Sequence, residues 1–271
     1  MSLEARSAFP GSAAPWYSAA VDPSRRHPSP GHLTLLLLLA AGTACAQGWG
    51  RRFYFEPNSN NPPATELIAA RWRFSTNGMI GHTGWSHNYP YSEQHLNEFV
   101  DNTTRIDVQP ESYQLLDLGT NDIFDHPFTY VSEPGEMDLT PQEAENLREY
   151  VLRGGFILID DFDGPWQLSN FQAQMRNVFP ERGFMPLTIE NPIFDLVFGL
   201  EDLMGTADYN PGSDPVFLGL QTDQGHLASV ACFNNDLANF WDRIDQGSYP
   251  LRPSSDAFRM GINFIVYAMT H

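Results

Sequence analysis

The chain has 271 residues, 42% of them hydrophobic and 18% charged, and its 33 acidic residues against 15 basic ones give a formal net charge of −18. All 15 basic residues are arginine, which excludes a Schiff-base lysine, a phosphate-binding loop ending in Gly-Lys-Ser/Thr and a lysine-paired kinase site. The acidic balance, with Arg25-Arg26 and Arg51-Arg52 as the adjacent basic pairs, argues against nucleic acid as a partner, because that binding depends on clustered cations at phosphates.

Residues 33–46 (LTLLLLLAAGTACA) form an apolar run preceded by Arg25, Arg26 and His27 and closed by small residues. This is the layout of a secretory signal peptide, and it is too short for a permanent membrane span. Ala44-Cys45-Ala46 fits the small-x-small cleavage rule, so residues 1–46 are expected to be a leader and Gln47 the mature N-terminus. The stretch 1–21 is longer than such a leader needs, and translation from Val21 is one explanation. Cleavage at Cys45 with lipidation is the competing route to the envelope. The expected location is therefore periplasmic or secreted. Only Cys232 would survive processing, so no internal disulfide is expected and a buried core must hold residues 47–271 as a single domain.

Residues 52–56 and 67–74 read as strands, the second followed by the turn-rich Ser75-Thr76-Asn77-Gly78. A short helix is expected over 92–100, with Leu96, Phe99 and Val100 on one side, and a short strand over 128–131. Thr140-Pro141-Gln142-Glu143 places a hydroxyl cap, a proline at the first helical position and a glutamate at the third. Ala144, Leu147 and Val151 then recur at helical spacing until Gly154-Gly155. Residues 156–159 follow without polar alternation, as a strand buried on both faces does. Ser169 opens another helix, with Phe171, Met175, Val178 and Phe179 on one face and Pro180 at its end. Residues 227–233 are a second strand of the buried type. A final helix carries Phe258, Ile262, Ile265, Val266 and Met269. Alternating helices and buried strands predict an α/β fold, an open, mostly parallel sheet covered on both faces.

In such folds ligands bind beyond the carboxyl ends of the strands. After Ile159 comes Asp160-Asp161-Phe162-Asp163, whose carboxylates repel one another unless capped, protonated or neutralised by a cation. Asp160 and Asp161 are candidate catalytic residues, and Asp161 with Asp163 a candidate ligand pair for a divalent metal. The alternative is that one aspartate caps the next helix while the others face water. After Phe233, Asn234-Asn235-Asp236 could read sugar hydroxyls or simply make a turn. The loop 77–91 is long, glycine-rich and aromatic. Trp85, His87 and Tyr89 are candidate ligand contacts there, with packing of the sheet edge as the alternative for Trp85 and Tyr89. His82, His87 and His95 could join Asp160 or Asp161 around zinc, although their spacing matches no recognised signature. There is no Gly-x-Ser-x-Gly elbow and no Gly-x-Gly-x-x-Gly fingerprint, and Cys232 lies in an apolar strand pattern where thiols are inert. No cofactor is predicted beyond the candidate divalent metal.

Three segments, Phe124-Asp125-His126-Pro127-Phe128-Thr129-Tyr130, residues 147–156 (LREYVLRGGF) leading into Asp160-Asp161, and residues 259–268 (RMGINFIVYA), resemble in order and spacing the bacterial family known as domain of unknown function 4159. The resemblance spans about residues 69–271. It implies a three-layer, flavodoxin-like or class I glutamine amidotransferase-like sheet in exported or envelope-associated proteins of unassigned function. It does not imply amidotransferase activity, which needs a cysteine at the strand-to-helix elbow where this chain has Asp160-Asp161. The similar trehalose-utilisation proteins carry a histidine-bearing loop after a comparable strand, which implies a sugar-handling site by fold analogy.

Two functions follow as expectations. The first is a non-catalytic binding or scaffolding module of the envelope, whose pocket of Trp85, His87, Tyr89, Asp160, Asp161, Asn234 and Asp236 holds a carbohydrate or an envelope protein. The second is a carbohydrate-active hydrolase or isomerase, with or without a metal, using Asp160 or Asp161 as general acid or base and His82 or His87 closing from the loop.

Overall fold

The computed structural model describes residues 61–78, 84–204, 206 and 214–271. The leader, Cys45, the strand expected over 52–56 and His82 lie outside the described residues. The strands are β1 (Ala69–Arg73), β2 (Tyr113–Asp117), β3 (Phe128–Ser132), β4 (Phe156–Phe162), β5 (Met185–Pro186), β6 (Val216–Gln221) and β7 (Leu227–Phe233). They form one sheet in the order β2-β1-β3-β4-β7-β6-β5. β2, β1, β3, β4 and β7 run parallel, while β6 and β5 complete one edge with antiparallel pairings. The longer helices are α1 (Tyr91–Thr103), α2 (Pro141–Leu152), α3 (Gly164–Val178), α4 (Leu237–Asp242) and α5 (Leu251–Thr270). The expected α/β class with a mostly parallel sheet is the observed one.

Period-two alternation sorts each central strand between two apolar cores. Phe156 and Leu158 of β4, Phe128 and Tyr130 of β3, and Val230 and Cys232 of β7 join Leu96 and Val100 of α1, Trp241 of α4 and Phe264 of α5. Ile157 and Ile159 of β4, Val131 of β3 and Ala231 of β7 join Leu147 and Tyr150 of α2 and Phe171 and Met175 of α3. This explains why β4 and β7 read as unbroken apolar runs: both faces are covered, and each buried Ile, Leu or Phe stabilises by about 1.5–3 kcal/mol.

α2 begins as its sequence predicts. Thr140 accepts from the Glu143 amide while the Glu143 side chain accepts from the Thr140 amide, a complete capping box with Pro141 following. Gly154 ends it at φ +90, and Gly155 passes so close to Tyr150 that a Cβ would sit 2.4 Å from its ring. α3 starts at Gly164 rather than at Ser169, because Pro165 is well placed in a first helical turn and the chain turns directly from β4 into the helix. No helix among the described residues is long and apolar enough to cross a membrane.

Candidate functional site

The carboxyl edge of the sheet is built around an irregularity in β4. Its pairing with β7 advances from Ile159↔Ala231 to Phe162↔Phe233, so one extra residue is accommodated on β4. Such bulges re-aim side chains. Here Asp161 takes the left-handed conformation at φ 64, which aspartate tolerates better than most residues. Of the four non-glycine residues with positive φ among the described residues, Asn88, Glu133 and Asn234 lie in the connections after β1, β3 and β7, and Asp161 lies near the carboxyl end of β4. Backbone strain of this kind clusters where function requires it.

The two adjacent carboxylates meet different surroundings. Asp160 is fully buried. Its Oδ2 accepts from the Tyr130 hydroxyl at 2.9 Å and from the Ala238 amide at 3.1 Å, whereas its Oδ1 is buried without a hydrogen-bond partner. Burial, with the neighbouring Asp161 charge, pushes its pKa up to about 7. Asp161 Oδ2 accepts from the Ser132 hydroxyl at 3.1 Å and lies 2.5 Å from His87 Nδ1. Paired carboxylates held in unlike environments are a common basis for dividing acid and base roles.

His87 reaches Asp161 from the loop after β1, and Arg71 holds that loop. Arg71 is fully buried within β1, where an isolated charge would be costly. Its Nη1 donates to the carbonyls of Trp85 and His87, each at 2.9 Å. Its Nε donates to Glu93 Oε1 at 2.5 Å and its Nη2 to Ser92 Oγ at 3.1 Å. The guanidinium also lies 4.3 Å from the centre of the Tyr130 ring, a cation–π contact. One planar fork thus joins β1, the loop and the start of α1, which lysine could not do. The His87 side chain keeps 39% exposure over a carboxylate that keeps 9%.

The turn after β7 supplies the third side. Asp236 caps α4, its Oδ1 accepting from the Asn239 amide at 2.9 Å, and its Oδ2 lies 3.9 Å from His87 Nδ1. His87, Asp161 and Asp236 therefore offer ligand atoms that all lie within 4.8 Å of one another. Asn234 accepts from the Gly164 amide and donates to the Asp214 carbonyl, so it ties the start of α3 to the turn. Asn235 donates to Thr206, and Asn88 donates to Asn239.

The remaining candidates fall elsewhere. Trp85 packs into the apolar core of the α2–α3 face. Tyr89 stands edge-on against Tyr113. Asp163 is the exposed residue that precedes α3, apart from the group formed by His87, Asp161 and Asp236. His95 Nδ1 is engaged with the Trp241 carbonyl at 2.7 Å. Cys232 is buried, and burial with the nearby Asp160 charge raises its thiol pKa well above the usual value, so it is inert as a nucleophile. Arg71, Tyr130 and Ser132 complete the cluster without a motif of their own, although two arginines, Arg71 and Arg73, within the five residues of β1 are a visible anomaly.

These features define an α/β domain with a polar strand-end site of one imidazole and three largely buried carboxylates. The chain belongs to the family described as Domain of unknown function (DUF4159), which matches residues 73–269. No curated protein matches it.

Proposed function

We propose that this chain is an exported, envelope-associated binding module that holds a hydroxyl-rich ligand, a carbohydrate or the glycan of an envelope component, at the carboxyl edge of its sheet. The observation that carries the reading is the convergence of His87 from the loop after β1, Asp161 from the end of β4 and Asp236 from the turn after β7, with the imidazole open to solvent above buried carboxylates. Carboxylates and imidazole are the groups that fix the hydroxyls of such ligands. The strand order supports a flavodoxin-like, three-layer arrangement related to the amidotransferase-like sheets, in which ligands bind at this edge. The apolar run 33–46 supports export. A second reading, a carbohydrate-active hydrolase or isomerase, is favoured by one feature: the Asp160 carboxyl pushed up to about 7 beside the Asp161–His87 pair.

One experiment addresses both. The protein recovered from an exporting host is expected to begin at Gln47 and, against a panel of neutral and acidic oligosaccharides, to show saturable calorimetric binding that Asp236→Asn and His87→Ala weaken by about tenfold or more, roughly 1.4 kcal/mol. Absence of binding to every oligosaccharide, or binding unchanged in both variants, ends the binding reading. Turnover of a bound sugar that Asp161→Asn abolishes while binding persists selects the enzyme instead.

A further inference from the structure

We infer that His87, Asp161 and Asp236 form a three-point seat for a divalent first-row transition-metal ion of the Zn²⁺ or Mn²⁺ class. The inference deepens the binding reading of the same edge by naming what the ligand's hydroxyls would meet.

The argument begins with charge. Asp160, Asp161 and Asp236 are all largely buried, and among the described residues His87 is a cation-capable side chain that reaches both Asp161 and Asp236. Arg71 is committed to Glu93, Ser92 and two loop carbonyls. Burying carboxylates in numbers costs several kcal/mol per ion unless a positive charge is brought among them. A divalent cation seated between His87, Asp161 and Asp236 would bring such a charge among them.

Geometry agrees. A metal held at about 2.0–2.2 Å from nitrogen and carboxylate oxygen sets neighbouring ligand atoms about 2.8–3.6 Å apart, from octahedral to tetrahedral geometry. His87 Nδ1 stands 2.5 Å from Asp161 Oδ2 and 3.9 Å from Asp236 Oδ2. A shift of the imidazole by well under 1 Å, away from Asp161 and toward Asp236, equalises the two gaps near that spacing. Ser132 donates to Asp161 Oδ2 and the Asn239 amide to Asp236 Oδ1, the kind of outer hydrogen bonds that orient metal-bound carboxylates. Imidazole with two carboxylates suits Zn²⁺, Mn²⁺ or Fe²⁺ better than Ca²⁺ or Mg²⁺, which prefer oxygen alone. Three protein ligands leave coordination positions for water or a ligand hydroxyl, and the exposed side of His87 gives solvent access to them.

The test uses the full chain, stripped with a chelator and titrated calorimetrically with Zn²⁺, Mn²⁺, Mg²⁺ and Ca²⁺ alone, with no sugar present. One equivalent of Zn²⁺ or Mn²⁺ is expected to bind more tightly than Mg²⁺ or Ca²⁺. His87→Ala and Asp236→Asn should each lower that affinity by at least about the tenfold typical of losing even an outer-shell partner. Asp163→Asn, an exposed acid in the neighbouring turn, should leave it unchanged. A spectroscopic readout on the wild type covers the case in which the variants do not fold: Co²⁺ should give a visible d–d band and a paramagnetically shifted imidazole proton. No Zn²⁺ or Mn²⁺ uptake, a Co²⁺ complex without the shifted imidazole, or an equal loss in Asp163→Asn overturns the seat. Metal uptake without oligosaccharide binding keeps the seat and ends the sugar reading. Oligosaccharide binding that is indifferent to chelator, with no metal uptake, does the reverse.

Discussion

Arg71 shows how much one residue can organise. It satisfies a buried glutamate and two loop carbonyls from inside a strand, so its removal leaves Glu93 charged and buried while the loop bearing His87 loses its tether. Breaking a buried pair from one side typically costs about 3–5 kcal/mol. Arg71→Met is therefore expected to lower stability by that order in denaturant unfolding, and Arg71→Lys to recover only part of it, because an ammonium cannot reproduce the planar fork. Equal stability of Arg71→Met and wild type would show that the network contributes nothing net. The individual site residues were largely legible: Asp160, Asp161, His87 and Asp236 each stand just after, or in the loop following, a strand that the sequence reveals. Their grouping was not, because it depends on which strands are neighbours. Sequence spacing paired Asp161 with Asp163, two residues away, whereas the bulge and the left-handed turn aim Asp161 at His87, 74 residues away in the chain.

At the level of elements, local chemistry and burial decided what could be read in advance. The capping box of α2, the unbroken apolar runs of β4 and β7 and the apolar stripe of α5 announce themselves. β2 does not: its sequence YQLLD is only half-buried and carries polar groups along the strand. β6 contains Gly219, and α4 has six residues, too few for a helical period to register. The two glycines after α2, which read as a single stop signal, do different work. Gly154 needs its positive φ but has open space, whereas a Cβ on Gly155 would meet the ring of Tyr150. That ring packs edge-on against Trp72 at 4.8 Å and donates its hydroxyl to the His126 carbonyl, so it cannot easily yield. Gly154→Ala is expected to cost about 1 kcal/mol from backbone strain. Gly155→Ala should cost more, about 1–3 kcal/mol from overpacking. Thermal unfolding of the two variants should show that order, and the reverse order would refute the close-approach argument.

For the molecule as a whole, His126 links folding to acidity. It is buried just before β3, its Nδ1 bonded to the Ile68 carbonyl. Burial outweighs that bond and the nearby Asp125 and Asp122 charges, so the folded-state pKa falls below the ordinary 6.5. The unfolded chain then binds more protons than the folded one below about pH 6.5. The stabilisation is thus present above that pH and lost as pH falls through the depressed folded-state value. His126→Asn, whose amide nitrogen stands in for Nδ1 toward the Ile68 carbonyl, is expected to flatten the decline of unfolding free energy as pH falls below about 6.5. An unchanged slope would assign the acid sensitivity to other groups.

The two ends of the sheet differ in what they offer to the outside. Beyond β6 the pairing closes with the two residues of β5, Met185 and Pro186. Proline has no amide hydrogen to present to a further strand. A growing ladder of identical chains would find a poor template there, because a rung at Pro186 would have to form on a tertiary amide nitrogen, which has no hydrogen to donate. The same two residues that finish the fold therefore also insulate it, so that many copies can crowd together without stacking through that edge into a fibre.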